Sequence, residues 1–517
     1  MSLNLCDYYL DQRLVEGRGG KVALLSGEAK RTYAEVADET NRVAAYLRRA
    51  GVRPEERVLI LLPDCFEFAS AFFGILRVGA VFAMVNPLLK RDALAYYFAY
   101  TKARVAIVHA SCLPEIEPLM ADARFCERLL VVGGDAGQFD DWKQALGAED
   151  PHGSLATLEA TDRDDLAGWL FTSGSTGHPK GCVHRHGDFE FNTERYALQV
   201  VQYEENDVTL SVPKLFFGYA TGTNLMFPFR VGATSILFEG RSTPDELFDQ
   251  MAKHKPTLLT SVPTMINNML NSPRMNEVDW SRVRVCLSAG EALPPALYRA
   301  FRDRTGTEIL DGIGSAEMFH IYISNYLDDV TEGSLGKLVP GYDAEIIDDE
   351  GRCVPDGEPG RLRVRGGSTA LCYWGDRAKS EETFQADWCT SADLFRKDAE
   401  GYYFYEGRSD DLIKVSGIWT SPLEIENCLL GHPDVAEVCV VGCEDENELV
   451  KPYAFVVPTK SGDDALATDL KQWVKDRLAP HKYPRWFDWR AELPKNDRGK
   501  VARKVLRQEL AEKGPVA

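Results

Sequence analysis

The chain of 517 residues contains no uncharged apolar stretch approaching the ~18 residues that read as a membrane span. It is also short of positive charge. Its 59 Lys and Arg stand against 79 Asp and Glu, a formal net charge of −20, which argues against a general binder of nucleic acid or anionic membranes. The 12 cysteines include no CxxC pair and no metal-ligand spacing, and read as reduced thiols in a reducing compartment. The opening MSLNLCDYYLDQRLVEG lacks the basic start and apolar run of a signal peptide. The expectation is a soluble, cytoplasmic protein. No GxxxxGK[ST] phosphate loop occurs either, which disfavours an enzyme that transfers a γ-phosphate from a P-loop. Internal repeats and low-complexity tracts are lacking as well.

What is there is ordinary globular material, 44% hydrophobic and 27% charged, enough for roughly three domain-sized units. Short apolar runs alternate with amphipathic segments. Val58–Leu62, Val81–Val85, Val105–His109, Thr234–Phe238, Leu258–Thr260 and Val283–Leu287 read as strands, and Cys65–Val78 and Pro294–Arg304 as helices. That alternation predicts α/β layers with largely parallel sheets. From about Gly333 the texture changes to Gly-punctuated short strands (AEIID, GRLRVRG, YYFYEG), a β-rich subdomain with the look of a distorted barrel. A compact α+β pattern follows, with a helix at Pro422–Leu430, a strand pair at Ala436–Val441 and Tyr453–Val457, and a helix at Asp469–Leu478. Residues 411–517 hold 16 basic and 18 acidic side chains, so a nearly neutral tail is attached to a strongly acidic body. The boundary is expected near Gly407–Asp411.

Thr172–Gly181 reads TSGSTGHPKG, directly after a strand-like AGWLF. Its glycines permit tight turns, and its hydroxyls, exposed N–H groups and Lys180 suit a cradle for phosphate oxygens. For an isolated SGSTG, a plain surface loop would be the better reading. Five more motifs follow in order, however: SAGEALP at Ser288–Pro294, DGIGSAEM at Asp311–Met318, SADLF at Ser391–Phe395, GRSDDLIKVSG at Gly407–Gly417, and PKNDRGK at Pro494–Lys500. Together they resemble the adenylate-forming superfamily of acyl-CoA synthetases, adenylation domains and luciferases, over essentially the whole chain. KLFFGYATG (Lys214–Gly222), DGIGSAEMFHIYISN (Asp311–Asn325), GKLVPGYDAEIID (Gly336–Asp348) and YWGDRAKSEETF (Tyr373–Phe384) are most similar to the benzoate-CoA ligases.

The resemblance implies a large N-terminal domain over residues 1–409, with the β-rich subdomain at roughly 333–409, and a small mobile C-terminal lid over 410–517. It implies ATP, Mg²⁺ and coenzyme A as reactants and cofactors, a small carboxylic acid as substrate, and by analogy alone a homodimer. Lys500 is then the mobile lysine that reaches the carboxylate and α-phosphate, and Glu317 the carboxylate that helps hold Mg²⁺ on the phosphates. The resemblance assigns ATP or AMP contacts to Thr172, Ser173, Gly174, Ser175, Thr176, Lys180, Ala289, Gly290, Glu291, Asp311, Gly312, Ile313, Gly314 and Ser315. Asp393 and Arg408 match the pair on the ribose hydroxyls. Asp410 sits at the hinge, and Gly417 and Trp419 fall where coenzyme A lies.

Phe216, Phe217 and Tyr219, with His320 and Ile321 opposite, are expected to form a flat aromatic pocket suited to an aryl acid. Taken singly, each phenylalanine reads equally as core and His320 as a structural histidine. Three positions depart from the family pattern. Ala316 replaces a threonine, losing a phosphate hydrogen bond of about 1.5–3 kcal/mol. Ala392 interrupts the usual TGD, and Ile313 replaces the aromatic that many relatives stack on adenine. Relatives that prefer benzoate read LFFAYGLGN where this chain reads LFFGYATGT, so either the ring carries a substituent or the pocket is reshaped. Two rival readings remain: a stand-alone enzyme that loads an aryl acid onto a carrier-protein phosphopantetheine, and a nucleotide-binding regulator that has lost catalysis.

Overall fold

A computed structural model describes residues 2–172, 178–408, 413–415, 418–445, 449–495 and 501–513, with side chains at all of these except 408, 414, 418, 419 and 513. Two large mixed sheets form the body. The first has eight strands around a parallel centre of Arg57–Leu61, Val81–Met84, Val105–His109 and Arg128–Val132. The second has nine, with Val208–Ser211, Leu258–Ser261, Val285–Ser288 and Ile309–Gly314 running parallel through its middle.

The period-two alternation of apolar strands explains the layering. Val58 and Ile60 face a central cluster, whereas Leu59 and Leu61 face an outer one. In the second sheet Leu258, Val285 and Leu287 join the same central cluster, while Leu259 and Cys286 look outward to a third. Helices Tyr33–Arg49 and Phe66–Arg77 fill the space between the sheets with buried residues such as Val43, Phe68 and Phe72. The first of them starts at a capping box, Thr32 with Glu35. Helix Arg91–Thr101 covers the outer face of the first sheet, and Pro244–His254, Pro263–Leu270 and Pro295–Thr305 that of the second. The result is a five-layered α/β body.

Beyond it, Asp343–Ile347, Gly360–Arg365, Trp388–Lys397, Phe384–Gln385 and Tyr403–Arg408 pair antiparallel. Among the described residues this sheet is open, not the barrel the strand texture suggested: Trp388–Lys397 carries Gly360–Arg365 on one edge and shares its other edge between two short strands. The C-terminal part holds a three-stranded sheet of Val435–Glu444, Val450–Pro458 and Trp486–Trp489 with helices Pro422–Leu430, Asp464–Lys475 and Arg503–Lys513. The middle helix begins five residues before its expected start, because the Asp463 side chain accepts from Leu466 N and caps it there.

Candidate active site

Among the described residues, several motifs lie at the carboxyl ends of parallel strands, where the loops that follow are delivered to one edge. Ser211 leads toward Phe216 and Phe217, Ser288 into Ala289-Gly290-Glu291, and Gly314 into Ser315-Ala316-Glu317. From the first sheet, strand Leu166–Thr172 runs parallel to Val81–Met84 and ends at Thr172, which pairs with Lys180 on the returning strand Lys180–Arg185. The intervening Ser173, Gly174, Ser175 and Thr176 lie outside the described residues, as do Asp410, Gly417 and Lys500.

Strand Ile309–Gly314 turns back antiparallel into Ile321–Ser324, with Ile313 opposite Ile323 and Gly312 opposite Ser324. The hairpin is tight at Gly314, where a Cβ would come within 2.6 Å of the His320 carbonyl oxygen; only glycine fits. Its connection is a single 3₁₀ turn, Ala316–Met318, preceded by Ser315. Half-buried Glu317 accepts the Tyr373 hydroxyl on Oε1 at 2.6 Å. Burial, and then the Glu317 carboxylate, push that phenol well above its usual range, so it remains a donor at any working pH. Lys180, itself buried, lies 5.4 Å from the centre of the Tyr373 ring and 3.8 Å from the Asp376 carboxylate. Lys180, Tyr373 and Glu317 therefore make one cluster at the end of the 172–181 motif.

Asp311 is buried, and burial raises its carboxyl to about 8 against the partial opposition of Ser288 and Gly312 N. Ala289 is buried and Gly290 exposed. Glu291 is engaged locally: its Oε2 accepts from Thr264 N at 3.0 Å and Thr264 Oγ1 at 2.8 Å, holding the start of helix Pro263–Leu270. Asp393 pairs in register with Arg408 across adjacent strands, which places the two ribose candidates side by side on the backbone. Trp419 lies in the short strand Ile418–Thr420, its side chain outside the described residues.

On the other side of the Glu317 turn lies an aromatic wall. The Phe216 and Phe217 rings sit 4.6 Å apart, both half-buried, and Tyr219 stands 5.3 Å from the His320 ring. Burial lowers His320 to about 3, so the imidazole is neutral and its Nε2–H donates to the Tyr219 carbonyl at 3.0 Å. A Cβ at Gly222 would come 2.5 Å from His320 Cδ2, so that glycine lets the helical turn lie against the imidazole. Ile321, buried, continues the wall.

A family model described as "AMP-binding enzyme" matches residues 11–374, and one described as "AMP-binding enzyme C-terminal domain" matches 424–500. The chain belongs to the AMP-binding enzyme family. Among the relatives of this AMP-binding enzyme, a benzoate–CoA ligase of Thauera aromatica is 42% identical over 509 residues, 98% of this chain and 95% of the relative. A 4-hydroxybenzoate–CoA/benzoate–CoA ligase of Rhodopseudomonas palustris is 39% identical, over 97% and 93%. Of solved structures, the anthranilate CoA ligase AuaEII in complex with anthranoyl-AMP superposes with a TM-score of 0.93 at 38% identity, covering 98% of this chain and 97% of that one. A benzoate CoA ligase from Burkholderia xenovorans LB400 does so with 0.90 at 40%, covering 98% and 100%.

Within this AMP-binding enzyme the donor set suits a magnesium ion that arrives with ATP. Among the described residues no group of three or more His, Cys, Asp or Glu side chains is placed to hold a metal. Mg²⁺ characteristically keeps waters and takes one or two protein carboxylates plus substrate phosphates; Glu317, with Oε1 fixed by Tyr373, offers such a carboxylate. Motif reading did not find Tyr373, although it lies in the quoted YWGDRAKSEETF stretch. The only signal was a tyrosine at the head of that segment, and its partner lies 56 residues away.

Proposed function

We propose that this chain is an AMP-forming ligase that activates benzoate or a substituted benzoate and transfers it to coenzyme A. The observation that carries the reading is the segment Gly314–Ile321: it presents Glu317 beside Lys180 and Tyr373, and three residues later His320 beside the aromatic wall. A carboxylate beside the 172–181 motif and an imidazole beside an aromatic wall thus lie on one short hairpin, which supports a site that handles phosphate and an aryl acid together. The benzoate- and anthranilate-CoA ligase relatives support the same chemistry.

In the first half-reaction a carboxylate oxygen attacks the α-phosphorus of ATP, the bond to the bridging oxygen breaks, and pyrophosphate leaves. In the second, the coenzyme A sulfur attacks the acyl carbon, AMP leaves, and the thiol proton is lost. Two anions meet in the first step, so positive charge is needed where charge develops. We assign that work to Lys500 and to Lys180 at the 172–181 motif, with Glu317 as the carboxylate toward Mg²⁺. A bound Mg²⁺ would supply neutralisation of the phosphate charge. Asp393 and Arg408 take the ribose, Asp311 to Ser315 and Ala289 to Glu291 flank the nucleotide, and Phe216, Phe217, Tyr219, His320 and Ile321 hold the acid. Residues 410–517 act as a lid hinged at Asp410, presenting Lys500 for the first step and Gly417 with Trp419 for the second.

ATP–pyrophosphate exchange against benzoate, hydroxybenzoates, aminobenzoates, cinnamates and medium-chain fatty acids, followed by coenzyme A on the responders, tests the reading. Exchange confined to aryl acids, with thioester appearing, is expected. Exchange without thioester would transfer the assignment to carrier loading, and exchange with no acid would overturn it.

A further inference from the structure

The turn that carries Glu317 is held by three successive carbonyls, each bonded from another segment. Glu317 O accepts from Ala370 N at 2.8 Å and Met318 O from Ser368 Oγ at 2.9 Å. Ala316 O accepts from His184 Nε2 at 2.7 Å. A carbonyl oxygen can only accept, so Nε2 carries the hydrogen. The other ring nitrogen, Nδ1, lies 3.1 Å from Asp188 Oδ2. Asp188 is itself held by Arg185, whose N donates to Oδ2 at 3.1 Å and whose Nε donates to Oδ1 at 3.2 Å. His184 and Asp188 are both buried.

This arrangement is more than a satisfied core histidine. His184 belongs to the strand Lys180–Arg185 that returns from the 172–181 motif, and the backbone acceptor of its side chain among the described residues is the residue before Glu317, 132 positions away. It therefore ties the two phosphate-handling segments together. The turn needs such ties, because Phe319, immediately after it, has φ +66°, a conformation that non-glycine residues hold only when their surroundings enforce it.

We propose that His184, oriented by Asp188, is a positioning residue for adenylation, fixing the Ala316 carbonyl and with it the direction in which Glu317 meets the cation on the phosphates of ATP. The inference rests on the reading of Glu317 given above. Partners behind a metal-binding group typically matter about 10- to 100-fold in metal affinity or activity.

Two amide replacements separate positioning from packing. The glutamine amide nitrogen reaches the place of Nε2, whereas that of asparagine reaches only the place of Nδ1. Calorimetry of ATP binding with Mg²⁺ and with EDTA, together with thermal midpoints, would be run on wild type, H184Q, H184N and E317Q. H184N is expected to weaken the Mg²⁺-dependent part of ATP binding about tenfold and to leave binding in EDTA unchanged, with H184Q restoring most of the loss. Equal losses in H184Q and H184N would overturn the proposal. So would wild-type Mg²⁺ dependence in H184N while E317Q loses it, a result that leaves the Glu317 reading standing. Wild-type Mg²⁺ dependence in E317Q would overturn both. Should H184N fail to fold, Asp188→Asn carries the test: a shift of Mg²⁺ dependence in the same direction is expected, and its absence would sink the role of His184.

Discussion

In the proposed site Tyr373 orients Glu317, because its hydroxyl donates to Oε1 and leaves Oε2 toward the cation. Tyr373→Phe keeps the ring under Lys180 and removes only that donor, so pyrophosphate exchange should slow about tenfold while thermal stability barely moves; an unchanged rate would mean that Glu317 is oriented without it. Lys500→Ala should nearly abolish adenylation yet spare thioester formation from supplied acyl-adenylate, and equal loss of both half-reactions would remove the role assigned to Lys500. Ala316 is half-buried against Cys182, Ala370 and Tyr373. Ala316→Thr restores the hydroxyl that relatives aim at the phosphates and is expected to preserve or raise the exchange rate. A severe loss would mean that this turn is built around the smaller side chain.

One ion pair anchors the helix that follows residues 496–500. Arg503, at the start of helix Arg503–Lys513, meets both oxygens of nearly buried Glu426, Nη1 at 2.7 Å and Nη2 at 3.0 Å, and Glu426 Oε1 also accepts from Val440 N at 2.6 Å. Helix Pro422–Leu430, strand Val435–Glu444 and the last helix are thus joined at a single carboxylate. Arg503→Leu leaves that carboxylate buried with, among the described residues, only the Val440 backbone donor, at a cost of about 3 kcal/mol. Denaturant unfolding of the full chain, with hydrogen exchange at Val440 as the local readout, should register the loss. The elements themselves were largely legible. Pro422–Leu430 forms with the expected limits, and Cys65–Val78 becomes Phe66–Arg77 with Cys65 and Val78 as its caps. Helix Asp464–Lys475 was misplaced because its start is set by a side-chain cap and not by apolar spacing.

For the whole molecule, buried ionisable groups set how stability varies with pH. Burial raises Asp311 from 3.8 to about 8 and Asp64 to about 6. Across those windows the folded chain keeps protons that the unfolded chain has lost, so these two groups lower stability as pH rises from about 4 toward 8. Two other groups work in the opposite sense. Burial lowers His320 from 6.5 to about 3 and Lys214 from 10.5 to about 8, so the unfolded chain binds more protons and stability rises with pH between about 3 and 6.5, and again between about 8 and 10.5. Asp311→Asn removes the first contribution alone. Its thermal midpoint relative to wild type should climb between pH 5 and pH 8, and a constant difference across that range would mean that Asp311 does not titrate there.

Composition and periodicity were enough to point to the layered α/β body and to the change to β-rich and then α+β texture, because these depend on neighbours a few residues apart; the six motifs were legible as short local patterns and took their meaning from a family resemblance. Which residues meet was decided only by the sheet order. His184 reaches Ala316 because strand Lys180–Arg185 returns beside Leu166–Thr172, and Tyr373 reaches Glu317 because Cys372–Tyr373 adds to the far edge of the same sheet, pairing Tyr373 with Cys182. The openness of the third sheet and the local engagement of Glu291 with Thr264 follow from the same cause. A linear pattern encodes periodicity and local turns, but contacts across tens to hundreds of residues exist only once the strands have been placed side by side.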